Sequence, residues 1–193
     1  MSEIALFHSA LGVRHGVTDA ADRLRSAGHD VVVVDQYEGR VFDDYTEASA
    51  YVDEVGFPTL MGRALAATVD LDDGLITMGF SNGGGMAEFV AASRPGVSGV
   101  ILAAGALDPA VIGASWPQGV PAQIHNTLND PWREQASIDA VVAAVEAAGG
   151  GAEVFDYPGS GHLFTDSSKT DEYQPAETEE FWPRVHDFIE RVA

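Results

Sequence analysis

The sequence contains no cysteine. That excludes disulfides, thiolate metal sites and a cysteine nucleophile. Basic residues are scarce: 10 Lys and Arg stand against 30 Asp and Glu, a formal net charge of −20. A surface of that sign repels nucleic acid and anionic membranes, so neither is expected as a partner. The acid excess reads as a solubility or salt-tolerance feature and says little about chemistry. No apolar run approaches the roughly 18–20 residues that span a bilayer. The N-terminus has no basic region and moves straight into an apolar run, Ile4 to Phe7. That is not a signal-peptide pattern, and a cytoplasmic location is expected. No two histidines stand at helical i, i+4 spacing beside a carboxylate, so neither a metal site nor a cofactor is expected.

What is present is an ordinary globular composition, 46% hydrophobic over 193 residues, which predicts one domain spanning 1–193 with a sizeable core. Apolar runs alternate with segments of helical periodicity. Strands are expected at Ile4 to His8, Val31 to Asp35, Leu75 to Phe80, Val97 to Ala104, Pro121 to Asn126 and Ala152 to Tyr157. Helices are expected at Val17 to Ala27, Thr46 to Val55, Thr59 to Thr68, Ser81 to Ser93, Glu134 to Ala148 and Phe181 to Val192. The stretch Thr165 to Glu180 is polar and acidic. The valine run 31–34, apolar on both faces, reads as a strand inside a parallel sheet. Alternation of this kind predicts an α/β fold, a mostly parallel six-stranded sheet with helices on both faces. In such sheets the site lies beyond the carboxyl ends of the strands.

The stretch that organises the rest is Leu75 to Met86, LITMGFSNGGGM. An apolar strand runs into Gly79-Phe80-Ser81-Asn82-Gly83, the G-x-S-x-G pattern of a nucleophile elbow. A serine hydroxyl needs a base in reach, and the base needs an orienting acid. His162 follows the last expected strand and is the candidate base. Asp130 follows the strand before it, in Asn-Asp-Pro-Trp, and is the candidate acid. Asp108 is a rival acid after the fourth strand; Asp156 and Asp166 lie too close in sequence to His162 to orient it. His125 falls inside a strand and reads as core, and His8 reads as packing. The serine, acid, histidine order is that of α/β-hydrolases. An oxyanion hole needs two donors. The N–H of Asn82 follows the nucleophile, and the loop after the first strand offers Ala10, with Leu11 as its neighbour.

These segments resemble the dienelactone hydrolase family of α/β-hydrolases over nearly the whole chain. The similarity rests on HSALGV after the first strand, the GFSNGG elbow, the NDPW acid loop and the YPGSGHLF histidine loop. The resemblance implies a compact, lidless α/β-hydrolase that cleaves esters or lactones through an acyl-enzyme. It implies Ser81 as nucleophile, Asp130 and His162 as its partners, and Ala10 and Asn82 as oxyanion donors. The departures are informative. Dienelactone hydrolase itself has a cysteine where this chain has Ser81. Its glutamate near the nucleophile is Ser9 here, and an arginine that helps bind the substrate carboxylate is Asp166. A small, neutral or apolar ester or lactone is therefore expected as the partner, not an anionic dienelactone.

With no lid, loop residues must line the pocket; the candidates are Leu11, Tyr37, Trp116, Trp132 and Phe164. Two other readings remain open. The run Gly83-Gly84-Gly85 is richer in glycine than an elbow requires, which suits a non-catalytic small-molecule or anion-binding protein with the helix N-terminus as its site. The same three residues also suit an acyl transferase or thioesterase.

Overall fold

A computed structural model describes residues 1–193. Its centre is one six-stranded, all-parallel sheet in the order β2-β1-β3-β4-β5-β6. The strands are β1 (Glu3–Phe7), β2 (Asp30–Val34), β3 (Leu75–Phe80), β4 (Val97–Ala103), β5 (Ala122–Thr127) and β6 (Ala152–Tyr157). The helices are α1 (His15–Ser26), α2 (Tyr45–Val55), α3 (Phe57–Ala66), α4 (Asn82–Ser93), a single turn α5 (Pro109–Ile112), α6 (Gln135–Ala147) and α7 (Pro175–Val192). No helix is long and apolar enough to cross a membrane.

The pleat sends alternate strand residues to opposite faces, and each face carries its own core. Ala5, Phe7, Val100, Leu102, Ala122 and Ile124 pack with α3, α4 and α6. Ile4, Leu6, Ile76, Met78, Ile101 and Ala103 pack with α1 and α7. Every residue of β3 is buried, as the innermost strand of a two-sided sheet should be. Its register sets Phe80 beside Ala103, which in turn lies beside His125 of β5. The carboxyl ends of β1, β3, β4, β5 and β6 thus finish along one edge.

Two expectations are corrected. The valine run of β2 forms the edge strand, not an interior one, and Val31, Val32 and Val33 are only half-buried. Val32 packs into one core and its two neighbours into the other. Apolarity on both faces therefore reports helices above and below, and says nothing about a missing lateral neighbour. The other correction is the start of α7, expected at Phe181 and found at Pro175, so that the helix takes in the end of the polar, acidic stretch. Proline suits the first turn, where its missing N–H is not needed, and Glu177 there complements the helix dipole. The Thr178 hydroxyl bonds to the carbonyls of Phe164, at 2.9 Å, and Gln174, at 2.7 Å.

Candidate active site

Ser81 follows β3 directly and caps α4 with φ 53° and ψ −118°. A non-glycine residue at positive φ is strained. The turn is held by tight surroundings. The Ser81 N–H donates to the Ala103 carbonyl at 2.8 Å, and the Gly84 N–H donates to the Ser81 carbonyl at 2.8 Å. A Cβ on Gly79 would overlap the Gly83 carbonyl, and one on Gly83 would overlap the carbonyls of Phe7 and His8. The glycine excess after the elbow thus serves close packing: α4 starts hard against the end of β1, and Gly84 sits against the Gly105 carbonyl. An anion cradle is not needed to account for it.

The other two loops extend the pairing of β5 with β6. The Leu128 N–H donates to the Tyr157 carbonyl at 2.8 Å and the Asn129 N–H to the Gly159 carbonyl at 2.9 Å. This brings Asp130 and His162 together. His162 Nδ1 lies 2.7 Å from Asp130 Oδ2, and His162 Nε2 lies 2.7 Å from Ser81 Oγ. The partners set the tautomer: Nδ1–H donates to the carboxylate, and Nε2 accepts the serine proton. Asp130 Oδ1 accepts the Trp132 N–H at 2.8 Å, so both carboxylate oxygens are engaged. Asp130 and His162 are each 6% exposed, while Ser81 opens onto a cavity of about 210 Å³.

The histidine loop is gripped from a distance. Gln174 Oε1 accepts the N–H groups of Ser160 and Gly161, at 3.0 and 2.7 Å, and its Nε2 donates to the Pro158 carbonyl at 2.8 Å. The Thr127 hydroxyl donates to the Gly161 carbonyl at 3.0 Å. Glu172 Oε2 accepts the Leu163 N–H at 2.7 Å and the Tyr45 hydroxyl at 3.0 Å. Burial, reinforced by Glu172, keeps the Tyr45 phenol protonated well beyond its ordinary range.

The loop after β1 carries Ala10, which lines the cavity. The Ser9 hydroxyl accepts the Leu11 N–H at 3.2 Å, and the Ser9 carbonyl accepts the Gly12 N–H at 3.1 Å. The Ala10 N–H is left with no partner in the protein. The Asn82 N–H lies in the first turn of α4, where no intrahelical carbonyl serves it.

Of the five residues read as pocket candidates, only Trp132 lines this cavity. It is 62% exposed, unusual for an indole, and its ring centre is 6.2 Å from that of His162. Leu11, Tyr37, Trp116 and Phe164 are buried in the two cores. Trp116 spends its indole N–H on the Val120 carbonyl at 2.8 Å, and Phe164 meets Phe181 edge-on. Beside Trp132 stand Tyr45, whose ring centre is 5.9 Å from that of the indole, and Ser49, neither of which the sequence singled out. They lie one helical turn apart on α2, a helix started by Asp44, whose side chain accepts the Thr46 N–H at 2.7 Å. Ala104 and Gly105, after β4, complete the lining. Ala104 also has a positive φ of 57°.

The rival residues have other employment. Asp108 caps α5 by accepting the Ala110 N–H at 2.8 Å. Asp156 pairs with Arg133 at 2.9 Å, and Asp166 accepts from the N–H and hydroxyl of Ser168. His8 is buried, with Nδ1 against the Ser9 carbonyl at 2.7 Å and Nε2 accepting the Gln36 N–H at 3.2 Å. No group of three or more His, Cys, Asp or Glu is placed to hold a metal ion. Glu88, buried in α4, accepts the Leu107 N–H at 2.8 Å and so ties down the loop after β4; burial pushes its carboxyl up to about 8.

A serine on a strained strand-to-helix turn, facing an imidazole and a carboxylate from later loops of a parallel sheet, is the architecture of the α/β-hydrolases. Within that class the chain belongs to the dienelactone hydrolase family, whose model matches residues 2–193. Solved structures agree on the fold. A dienelactone hydrolase-like promiscuous phosphotriesterase from metagenomic libraries superposes with a TM-score of 0.85 at 19% identity, covering 100% of this chain and 87% of that one. Mouse alpha/beta hydrolase domain-containing protein 10 gives 0.74 at 13% identity, covering 99% and 90%. An esterase, PE8, gives 0.60 at 18% identity, covering 88% and 90%. No curated protein matches the sequence.

Proposed function

We propose that the protein is a serine hydrolase that cleaves small, neutral carboxylic esters or lactones through an acyl-enzyme. The observation that carries this reading is the unbroken chain from Ser81 Oγ through His162 to Asp130, with both links at 2.7 Å, beside a cavity. His162 Nε2 takes the Ser81 proton as Oγ attacks the substrate carbonyl. The N–H groups of Ala10 and Asn82 receive the oxyanion. The imidazolium then protonates the leaving alkoxide, and water repeats the sequence on the acyl-enzyme. Asp130 holds the imidazole in the required tautomer and answers its transient charge. No cationic side chain lines the cavity, which favours a neutral substrate. Lys169 reaches only the Tyr45 ring, at 5.7 Å, and is paired with Asp171 at 2.7 Å.

A fluorophosphonate probe should label the protein at Ser81, and Ser81→Ala should abolish labelling. Labelling that persists in the variant would remove Ser81 from this role. A panel of p-nitrophenyl esters, lactones and acyl thioesters then separates ester hydrolysis from thioesterase and acyl-transfer activity. A phosphotriester belongs in the panel because one fold neighbour is described as a promiscuous phosphotriesterase.

A further inference from the structure

Beside the Ser81 cavity lies a second one, of about 350 Å³, and the two share Ala104, Gly105 and Trp132. The second cavity reaches between the loop after β4 and the start of α6, where Ser137 and Ile138 form its wall. Its floor includes Asn126, at the end of β5. Asn126 is 2% exposed, and its Nδ2 has no hydrogen-bond partner. A second buried donor without a partner, Arg133 Nε, belongs to the same lining. Buried donors are nearly always satisfied, because leaving one bare is destabilising. Both donors belong to residues that line one cavity, opening beside the serine, and this points to a ligand that brings acceptors.

Charge decides what kind of acceptor. The Arg133 guanidinium is already paired with Asp156, at 2.9 Å, and Glu134 lines the same cavity. The one cation is therefore already paired, Glu134 adds a further negative charge to the lining, and a carboxylate would meet no surplus positive charge. A neutral oxygen meets only the donors.

We propose that this second cavity is a substrate subsite for a neutral oxygen acceptor, a carbonyl, ether or second ester oxygen a few atoms from the scissile carbonyl, with Asn126 as its donor. The substrate is then a bifunctional, uncharged ester or lactone. This inference rests on the hydrolase reading above and deepens it.

Matched esters test it on the unaltered protein. One pair is p-nitrophenyl 4-oxopentanoate and p-nitrophenyl pentanoate, which places the oxygen on the acyl side. The other is 2-methoxyethyl acetate and butyl acetate, which places it on the alcohol side. In at least one pair the oxygen-bearing ester should have the higher kcat/KM by roughly five- to twentyfold. Asn126→Leu and Asn126→Asp, each checked for folding by thermal melting, should both reduce that ratio to under about twofold. The wild-type ratio decides even where a variant does not fold. Equal kcat/KM within both pairs would overturn the subsite while leaving the hydrolase reading intact. A preference for mono-p-nitrophenyl succinate over the 4-oxo ester would overturn the neutral assignment in favour of charge recognition. Absence of turnover on every ester, together with absence of fluorophosphonate labelling, would remove the hydrolase reading and this inference with it.

Discussion

His125 and His162 are both buried, and both are hydrogen-bonded through both ring nitrogens, yet they sit in opposite chemical situations. His125 lies inside β5, between the Tyr157 hydroxyl and Gln123 Oε1, each at 2.8 Å. Its ring stacks on Phe155 and meets Phe181 edge-on. No solvent reaches it, its partners are neutral, and burial with nearby Arg184 pulls its basicity down to about 3. His162 stands on a loop, between a carboxylate and a hydroxyl, at the wall of a cavity. A proton placed on His162 is answered by Asp130; a proton placed on His125 is answered by nothing. Two full hydrogen bonds therefore do not distinguish a structural imidazole from one proposed to act as a base. The charge of the acceptor behind it, and access to the nitrogen in front, do.

The sharpest way to break this contrast is to neutralise the acceptor behind His162. Asp130→Asn should keep the fold, with melting little changed, but lower kcat/KM on an active ester by roughly 10³–10⁴-fold, because the imidazole loses its tautomer and its counter-charge. Activity within tenfold of wild type would mean the carboxylate does not act as proposed. Removing the other imidazole should have the reverse profile. His125→Leu strands the Gln123 carbonyl and the Tyr157 hydroxyl in the core, so urea unfolding should report a loss of about 2–4 kcal/mol. Its kcat/KM in the native protein should stay within about threefold, since single changes away from the reacting groups leave the barrier nearly intact.

The smallest effect concerns pH. Unfolded, His125 binds a proton as the pH falls below 6.5; folded, it resists until about 3. The unfolded state is the better proton binder in that window, so stability is present above it and is lost as the pH falls through it. Between pH 7 and pH 5 this one group should cost about 2 kcal/mol, and the difference between wild type and His125→Leu isolates it from the carboxylates. Parallel stability curves for the two proteins would show that His125 titrates normally.

The residues that meet at Ser81 were legible because each stands just past a strand, and a parallel sheet aligns such positions on one edge. Their chain order supplied the roles to look for. The pocket was far less legible. Tyr37, Trp116, Phe164 and Trp132 all follow or precede turn signals, and composition does not say which aromatic turns inward. Only Trp132 turns outward, because its N–H is bound by Asp130 within the tight turn that follows β5. Tyr45 was missed for another reason. Its position depends on Glu172, 127 residues away, a contact no local pattern announces. Sheet order was hidden likewise: the valines of β2 report cover above and below, and the edge is set by which strands come later.

Gln174 carries a consequence for the order in which the molecule matures. Its amide holds three backbone groups of the loop that presents His162, and it stands at the start of α7. On the ribosome α7 emerges after every strand of the sheet. Without Gln174 the loop would keep its bonds to Thr127, Asn129 and Asp130 but lose the three that the amide supplies. Under the proposed mechanism, the placement of His162 is therefore completed by a helix that is made after every strand of the sheet.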